Sequence, residues 1–280
     1  MNIEDFNDII YSKENNGVVT VTINQVKRKN AMSPVSFLEL WWAMEIFDND
    51  DSAGVMILTG AENPDETDLS KHAFSSGGYF NPAELNKLPP ELVEQIDMAD
   101  MAQGKLTLRM AKVTKPIIAA LNGYAIGGAF TMTLSGTDLI YMADSGYIKM
   151  PFVSIAIVPE FASTYIIPRL IGLQKTKEIF YFGKEIKPEE AKDMGLINDV
   201  LPHDELMAHV HEVALKLVPP QGAGVAVKAT KKALNAPLIE YYENALKLEN
   251  EGLLKSASTK DFFEGMIARK AKRSPIYKGE

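Results

Sequence analysis

Residues 115–134, KPIIAALNGYAIGGAFTMTL, constrain the fold of this chain more than any other stretch. A short apolar run comes first, then a turn rich in glycine, then a run of small residues that can be helical. An apolar run bounded by glycine reads as a buried strand. A buried strand followed at once by a helix calls for a sheet covered by helices. The rest of the chain agrees. VVTVTI (18–23) is β-branched and alternates, and GVMILTG (54–60), DLIYMAD (138–144) and LINDVLP (196–202) read as further strands, with YIKM (147–150) a short one. Ser33 as N-cap with Pro34 at the first helical position predicts a helix over about 34–49. Residues 81–112 read as helical pieces broken by Pro82 and Pro89-Pro90. A helix ending at Gly183 and a short one from Pro188 to Gly195 follow, and from 203 onward the pattern is helical to the end. Strands come early and helices late, so the chain is α/β with a mostly buried sheet.

Two turns of small residues bear on chemistry. In GYAIGGAF (123–130), Gly127-Gly128 lie between a strand and a helix. Backbone N–H groups at a helix N-terminus attract negative charge, and glycine lets a ligand come close. The order is neither a dinucleotide fingerprint nor a P-loop, because no G-x-G-x-x-G and no G-K-[ST] is present. The same glycines are also compatible with tight helix–strand packing and nothing more. FSSGGYF (74–80) is a second such turn, readable as a flexible loop. Two such turns could aim two N–H groups at one developing oxyanion.

Composition removes several classes. The 280 residues contain no cysteine, which excludes disulfides, zinc thiolates and a cysteine nucleophile. The net charge of −8 argues against a nucleic-acid surface. No apolar run reaches the roughly 18 residues of a membrane span. MNIEDFNDII lacks a basic segment and an apolar core, so no leader is expected and the protein is expected in the cytoplasm. Ser75 and Ser76 have no histidine and acid at recognisable triad spacing. His209 and His211 are two apart on an expected helix and face different ways, and no metal centre is expected. His72 reads as a surface-loop histidine, and Trp41-Trp42 as core or interface.

Several segments together resemble the crotonase superfamily, the enoyl-CoA hydratase and isomerase family. They are KRKNAMS (27–33), AFSSGGYF (73–80), KPIIAALNGYAIGGAF (115–130), FGKEIKPEEAKDMGLINDVLP (182–202) and FFEGMIARKAKRSP (262–275), in order over nearly the whole chain. The resemblance implies a spiral of repeated ββα units over 1–202 and a helical C-terminal region over 203–280 that builds homotrimers or dimers of trimers. It implies an acyl-CoA thioester as substrate and no cofactor beyond that CoA. The oxyanion donors would be the backbone N–H groups of Gly78 and Gly128. The segment at Lys29, Asn30 and Ala31 would hold the CoA, Lys272 would reach a CoA phosphate, and Ser76, Tyr79, Phe80, Phe152 and Phe161 would lie along the substrate.

The catalytic acid is a separate matter. The family's hydratases use two glutamates, and those positions align here with Thr131 and Phe152. Neither side chain can deprotonate water. PFVSIAIVPEFASTYII (151–167), in contrast, holds one acid, Glu160, in an otherwise apolar setting. VPEFASTY resembles the segment in which peroxisomal-type Δ3,Δ2-enoyl-CoA isomerases carry their single acid, with Phe161 where glycine is usual. An apolar setting raises a carboxyl's pKa toward neutrality and suits it to carry a proton both ways. A solvated loop acid near a helix start is the structural alternative. The functional alternatives are other crotonase chemistry on a specialised thioester (hydration, decarboxylation or hydrolysis) and a non-catalytic acyl-CoA-binding homologue. Tyr165 could bond within the pocket but reads more readily as packed core.

Overall fold

The structure, a computed structural model, describes residues 1–79 and 89–280. Phe80 and Pro82, named above, lie outside the described residues. Ten strands run through them: β1 Ile9–Lys13, β2 Val18–Ile23, β3 Val55–Gly60, β4 Ala73–Ser75, β5 Ile117–Leu121, β6 Tyr124–Ile126, β7 Leu139–Ala143, β8 Ile148–Lys149, β9 Glu185–Ile186 and β10 Asp199–Leu201. The described helices are α1 Pro34–Asn49, α2 Pro90–Val93, α3 Gly104–Lys112, α4 Gly128–Gly136, α5 Ser163–Ile171, α6 Leu173–Phe182, α7 Pro188–Asp193, α8 His203–Leu215, α9 Gly224–Ala257 and α10 Lys260–Lys270. The strands at 18–23 and the helix at 34–49 match the sequence reading. Ser33 caps α1 through its side chain, which accepts from the N–H of Ser36.

The strands form two sheets. The six-stranded sheet has the order β1-β2-β3-β5-β7-β10, parallel except for the β1–β2 pair, and the second has the order β4-β6-β8-β9. Successive strands alternate between the sheets: β3 then β4, β5 then β6, β7 then β8, with helices after each pair. Each ββα turn thus adds one strand to each sheet, and the chain advances as a spiral of mixed α/β structure.

The large sheet is buried on both faces, which is why its strands read as continuous apolar runs. In β3, Met56 and Leu58 join the main core with Leu40, Met44 and Phe47 of α1. The alternate residues Val55 and Ile57 face the other way and pack with Leu206, Val210 and Ala214 of α8. The expected boundary at 202 therefore does not separate two cores, because α8 closes one face of the sheet. Burying a side chain of this size stabilises by about 1.5–3 kcal/mol, so α8 is held on the sheet by several such contacts. The long helix α9 is anchored at its base by Lys231, which is buried and donates to the carbonyl of Lys115 and to Asp138, both at 2.8 Å. No helix among the described residues is long and apolar enough to cross a membrane.

Candidate active site

A cavity of about 1170 Å³ opens between the Gly-rich turns, α1 and the C-terminal helices. Both turns reach its wall, Ser76 to Tyr79 on one side and Ile126 to Gly128 on the other. The first turn is tied back to the segment before α1. The N–H of Ser76 donates to the carbonyl of Lys29 at 2.9 Å, and the N–H of Tyr79 donates to the carbonyl of Met32 at 2.7 Å. Gly77 has φ +94°, and a side chain there would press on the carbonyl of Ile126, so only glycine fits this crossing. A Cβ at Gly78, by contrast, would meet nothing among the described residues within 4 Å.

Gly127 has φ +56°, and its N–H donates to Lys149 at 2.7 Å. Gly128 is then the first residue of α4, a position whose N–H has no carbonyl within the helix to bond. Among the described residues no acceptor meets the N–H of either Gly78 or Gly128. The helix start adds a partial positive charge beside Gly128.

Glu160 lies against this second turn. A Cβ built on Gly128 would collide with Glu160 Oε1. The carboxyl is thus in contact with the glycine, and it faces the cavity. It does not lie in a solvated loop. Burial pushes its pKa up to about 8, and the neighbouring Glu249 carboxylate adds to the shift.

Glu249, on α9, is a site residue that sequence reasoning missed. It is 1% exposed. Its carboxylate accepts from the N–H of Ala162 at 2.8 Å, from the N–H of Thr164 at 2.9 Å and from the Thr164 hydroxyl at 2.7 Å. These groups stand at the N-terminus of α5, so Glu249 caps that helix from another element and fixes the loop that carries Glu160. Burial raises its pKa to about 7 against the lowering effect of those bonds. The next residue, Asn250, holds the adjoining 99–102 loop, accepting from the N–H of Ala102 at 3.0 Å and donating to the carbonyl of Ala99 at 2.9 Å. That loop in turn accepts from the N–H of Phe161 at 3.2 Å. No local motif announces Glu249, since its partners are backbone groups that only the tertiary fold brings to it.

The other expected residues fall into distinct places. Phe152 lines the cavity, with its ring over Gly127 and edge-to-face with Phe180 at 6.2 Å. Thr131 is buried, and its hydroxyl donates to Gly127 at 3.3 Å. Phe161 does not line the cavity as expected. It is fully buried, packs on Phe37 at 5.8 Å and sits at φ +62° behind Gly128. Ser76 and Tyr79 line the cavity, with the Arg28 guanidinium 4.7 Å from the centre of the Tyr79 ring. Lys29, Asn30 and Ala31 are not among its walls. Asn30 is buried and spends its amide on the carbonyls of Ala61 and Ala73, each at 2.8 Å. Lys29 donates to the carbonyl of Lys71 at 3.2 Å. Lys272 is exposed and also off the wall. Tyr165 stacks on Tyr241 at 5.0 Å, outside the cavity.

Trp41 and Trp42 are a correction. They meet edge-to-face at 5.1 Å, and both line the cavity together with Phe37. Adjacent helix positions do face different ways, but these side chains are large enough for both to reach the same space. Met98, Met101, Phe262 and Met266 extend the apolar wall. The whole is an apolar slot ending at two backbone amides and one carboxyl of raised pKa, an arrangement that can bind a chain-like substrate, hold an oxyanion and move a proton.

Residues 13–280 match the model of the family described as enoyl-CoA hydratase/isomerase. Among curated proteins, the short-chain-enoyl-CoA hydratase of Clostridium acetobutylicum is 30% identical over 269 residues, covering 96% of this chain and 97% of its own length. The 1,2-epoxyphenylacetyl-CoA isomerase of Escherichia coli is 26% identical over 274 residues, covering 98% and 99%. Among solved structures, an enoyl-CoA hydratase/isomerase from Pseudoalteromonas atlantica has the same fold, with a TM-score of 0.82, 24% identity, and coverage of 97% of this chain and all of that one.

Proposed function

The chain belongs to the enoyl-CoA hydratase/isomerase family, the crotonase superfamily, and from that premise we propose that it isomerises a 3-enoyl-CoA to a 2-enoyl-CoA with Glu160 as its single proton carrier. The observation behind this reading is the contact of the Glu160 carboxyl with Gly128 at the wall of the apolar cavity. In the proposed reaction the ionised carboxylate takes a proton from C2 of the thioester. The electron pair moves onto the carbonyl oxygen, which the N–H groups of Gly78 and Gly128 stabilise. The double bond then shifts from C3–C4 to C2–C3 as the same carboxyl returns its proton to C4. One acid serves both halves, so no second acid is required at 131 or 152. A pKa of about 8 makes Glu160 a stronger base than an ordinary glutamate once ionised, and still able to give its proton back near neutrality. The apolar slot takes the acyl chain. We extend the reading to assembly: the exposed Leu248, Phe263 and Ile267 on the C-terminal helices form the trimer face.

Hydration has the name of the Clostridium relative in its favour. It would require Glu160 alone to orient and deprotonate water, since Thr131 and Phe152 cannot. The test is to follow 3-enoyl-CoA and 2-enoyl-CoA thioesters in deuterated water with native protein and Glu160→Gln. Isomerisation with deuterium entering C2 or C4, reduced at least about 100-fold in the variant, supports the proton carrier. A 3-hydroxyacyl product with no isomerisation would replace it with hydration. Binding of thioesters with neither reaction would point to a non-catalytic homologue.

A further inference from the structure

Away from the cavity, three residues distant in sequence meet: Glu62 after β3, His72 before β4, and His203 at the first position of α8. Each offers one ligand atom, and the three atoms lie within 4.8 Å of one another. His72 was expected on a surface loop, but it is only 7% exposed. Its ring is edge-to-face with that of His203 at 5.4 Å.

The hydrogen bonds assign the tautomers. His72 Nε2 is 2.9 Å from the carbonyl of Glu66. A carbonyl only accepts, so Nε2 carries the proton and the lone pair is on Nδ1. That Nδ1 is buried and has no hydrogen-bond partner among the described residues. A histidine that gives its N–H to a backbone carbonyl and keeps its other nitrogen bare is arranged as a metal ligand is. His203 places Nδ1 3.5 Å from the Ser145 hydroxyl and Nε2 3.1 Å from Glu62 Oε1; Nε2 gives its proton to that carboxylate, and a cation bound between them would take the proton's place.

We propose that Glu62, His72 and His203 bind a divalent transition-metal cation of the zinc class. Two imidazoles and one carboxylate form a ligand set that zinc accepts, with a fourth position open to water. Ligands about 2.0–2.1 Å from such an ion stand roughly 3.3 Å apart, and the His203–Glu62 pair is already at that spacing. No gap has to close by more than about 1.5 Å. Without a cation, the His72 nitrogen remains a buried group with its hydrogen bond unmade, which is unfavourable. With one, the 61–72 loop is stapled to the start of α8. The site does not depend on the reading of Glu160.

The experiment uses the full-length protein, stripped with a chelator and titrated with Zn²⁺ by calorimetry, then with Co²⁺ for its visible spectrum. We expect one Zn²⁺ per chain, a rise in melting temperature, and a cobalt spectrum of mixed nitrogen and oxygen ligation. His203→Ala and Glu62→Gln should each weaken binding by at least about 10-fold. Glu62 is half exposed, so Glu62→Gln leaves the core undisturbed. His211→Ala, which removes the histidine paired with Glu14 at 3.0 Å, should change nothing. Absence of stoichiometric uptake, or uptake that survives both site variants and is lost in His211→Ala, would overturn the assignment.

Discussion

Glu160, part-buried at the cavity wall, neighbours the buried Glu249, and their raised pKa values of about 8 and 7 come first from loss of solvent. A base must be ionised to take a proton, so kcat/KM of the free enzyme should rise with pH and level off above about 8; a profile already flat from pH 6 would contradict a raised Glu160. Stability should move the opposite way. Both groups hold protons in the folded state that the unfolded chain releases near its ordinary carboxylate pKa. Their contribution is fully present below about 4.5 and is lost as pH rises to about 8. Urea midpoints should therefore fall less between pH 5 and 8 in Glu160→Gln than in the native protein, and equal slopes would argue against burial of the charge. The two glycines differ in a measurable way. Gly128→Ala drives a methyl into the Glu160 carboxyl and should cost about 1–3 kcal/mol by overpacking as well as most of the activity. Gly78→Ala meets no described atom within 4 Å and should stay within about 0.5 kcal/mol of native in thermal melts. The place of Glu160 at the cavity wall was legible in the sequence, because a lone acid in an apolar run is costly unless something accommodates it. His72 was not, because the neighbours that meet it, among them Gly123 and His203, are distant in sequence and no local pattern connects them to it.

Helix α5 begins without a side-chain cap of its own, and Glu249 of α9 supplies one. Removing it in Glu249→Ala leaves two buried N–H groups and a hydroxyl without their acceptor. We expect a loss of about 2–4 kcal/mol and a fall in kcat, since the same loop carries Glu160; calorimetry with steady-state kinetics would check both. Unchanged kcat in a folded variant would confine Glu249 to stability. Elements with local signals were the ones readable in advance. Ser33 and Pro34 mark the start of α1 at the residue where it occurs, and the β-branched alternation of 18–23 marks β2. The division of strands between two sheets was not readable from residues, because β4, β6 and β8 are only two or three residues long and their pairing is set by where the preceding long strand ends. The role of α1 as a cavity wall was also hidden. Its residues are apolar nearly all round, so one face packs the core through Leu40 and Met44 while Phe37, Trp41 and Trp42 line the slot.

Over the whole molecule, exposed apolar side chains gather on the C-terminal helices, among them Tyr241, Leu248, Leu254, Phe263 and Ile267. A run of this kind on a monomer marks an interaction surface. Light scattering should give a mass near three or six times the 30.9 kDa of one chain, and a monomer at micromolar concentration would refute the proposed assembly. The fold class followed from the alternation of apolar strands with helices, whereas the spiral itself came only with the resemblance to known sequences. The order of the strands carries one more consequence. In both sheets spatial order follows chain order, β1 through β10 in the first and β4 through β9 in the second. Each new strand therefore pairs with one the ribosome has already released, and none waits for a neighbour still to be translated. Domains fold N-terminal part first during synthesis, at about 5–20 residues per second, and this topology allows the protein to be wound up turn by turn as it emerges, its nascent edge always the one that the next turn will cover.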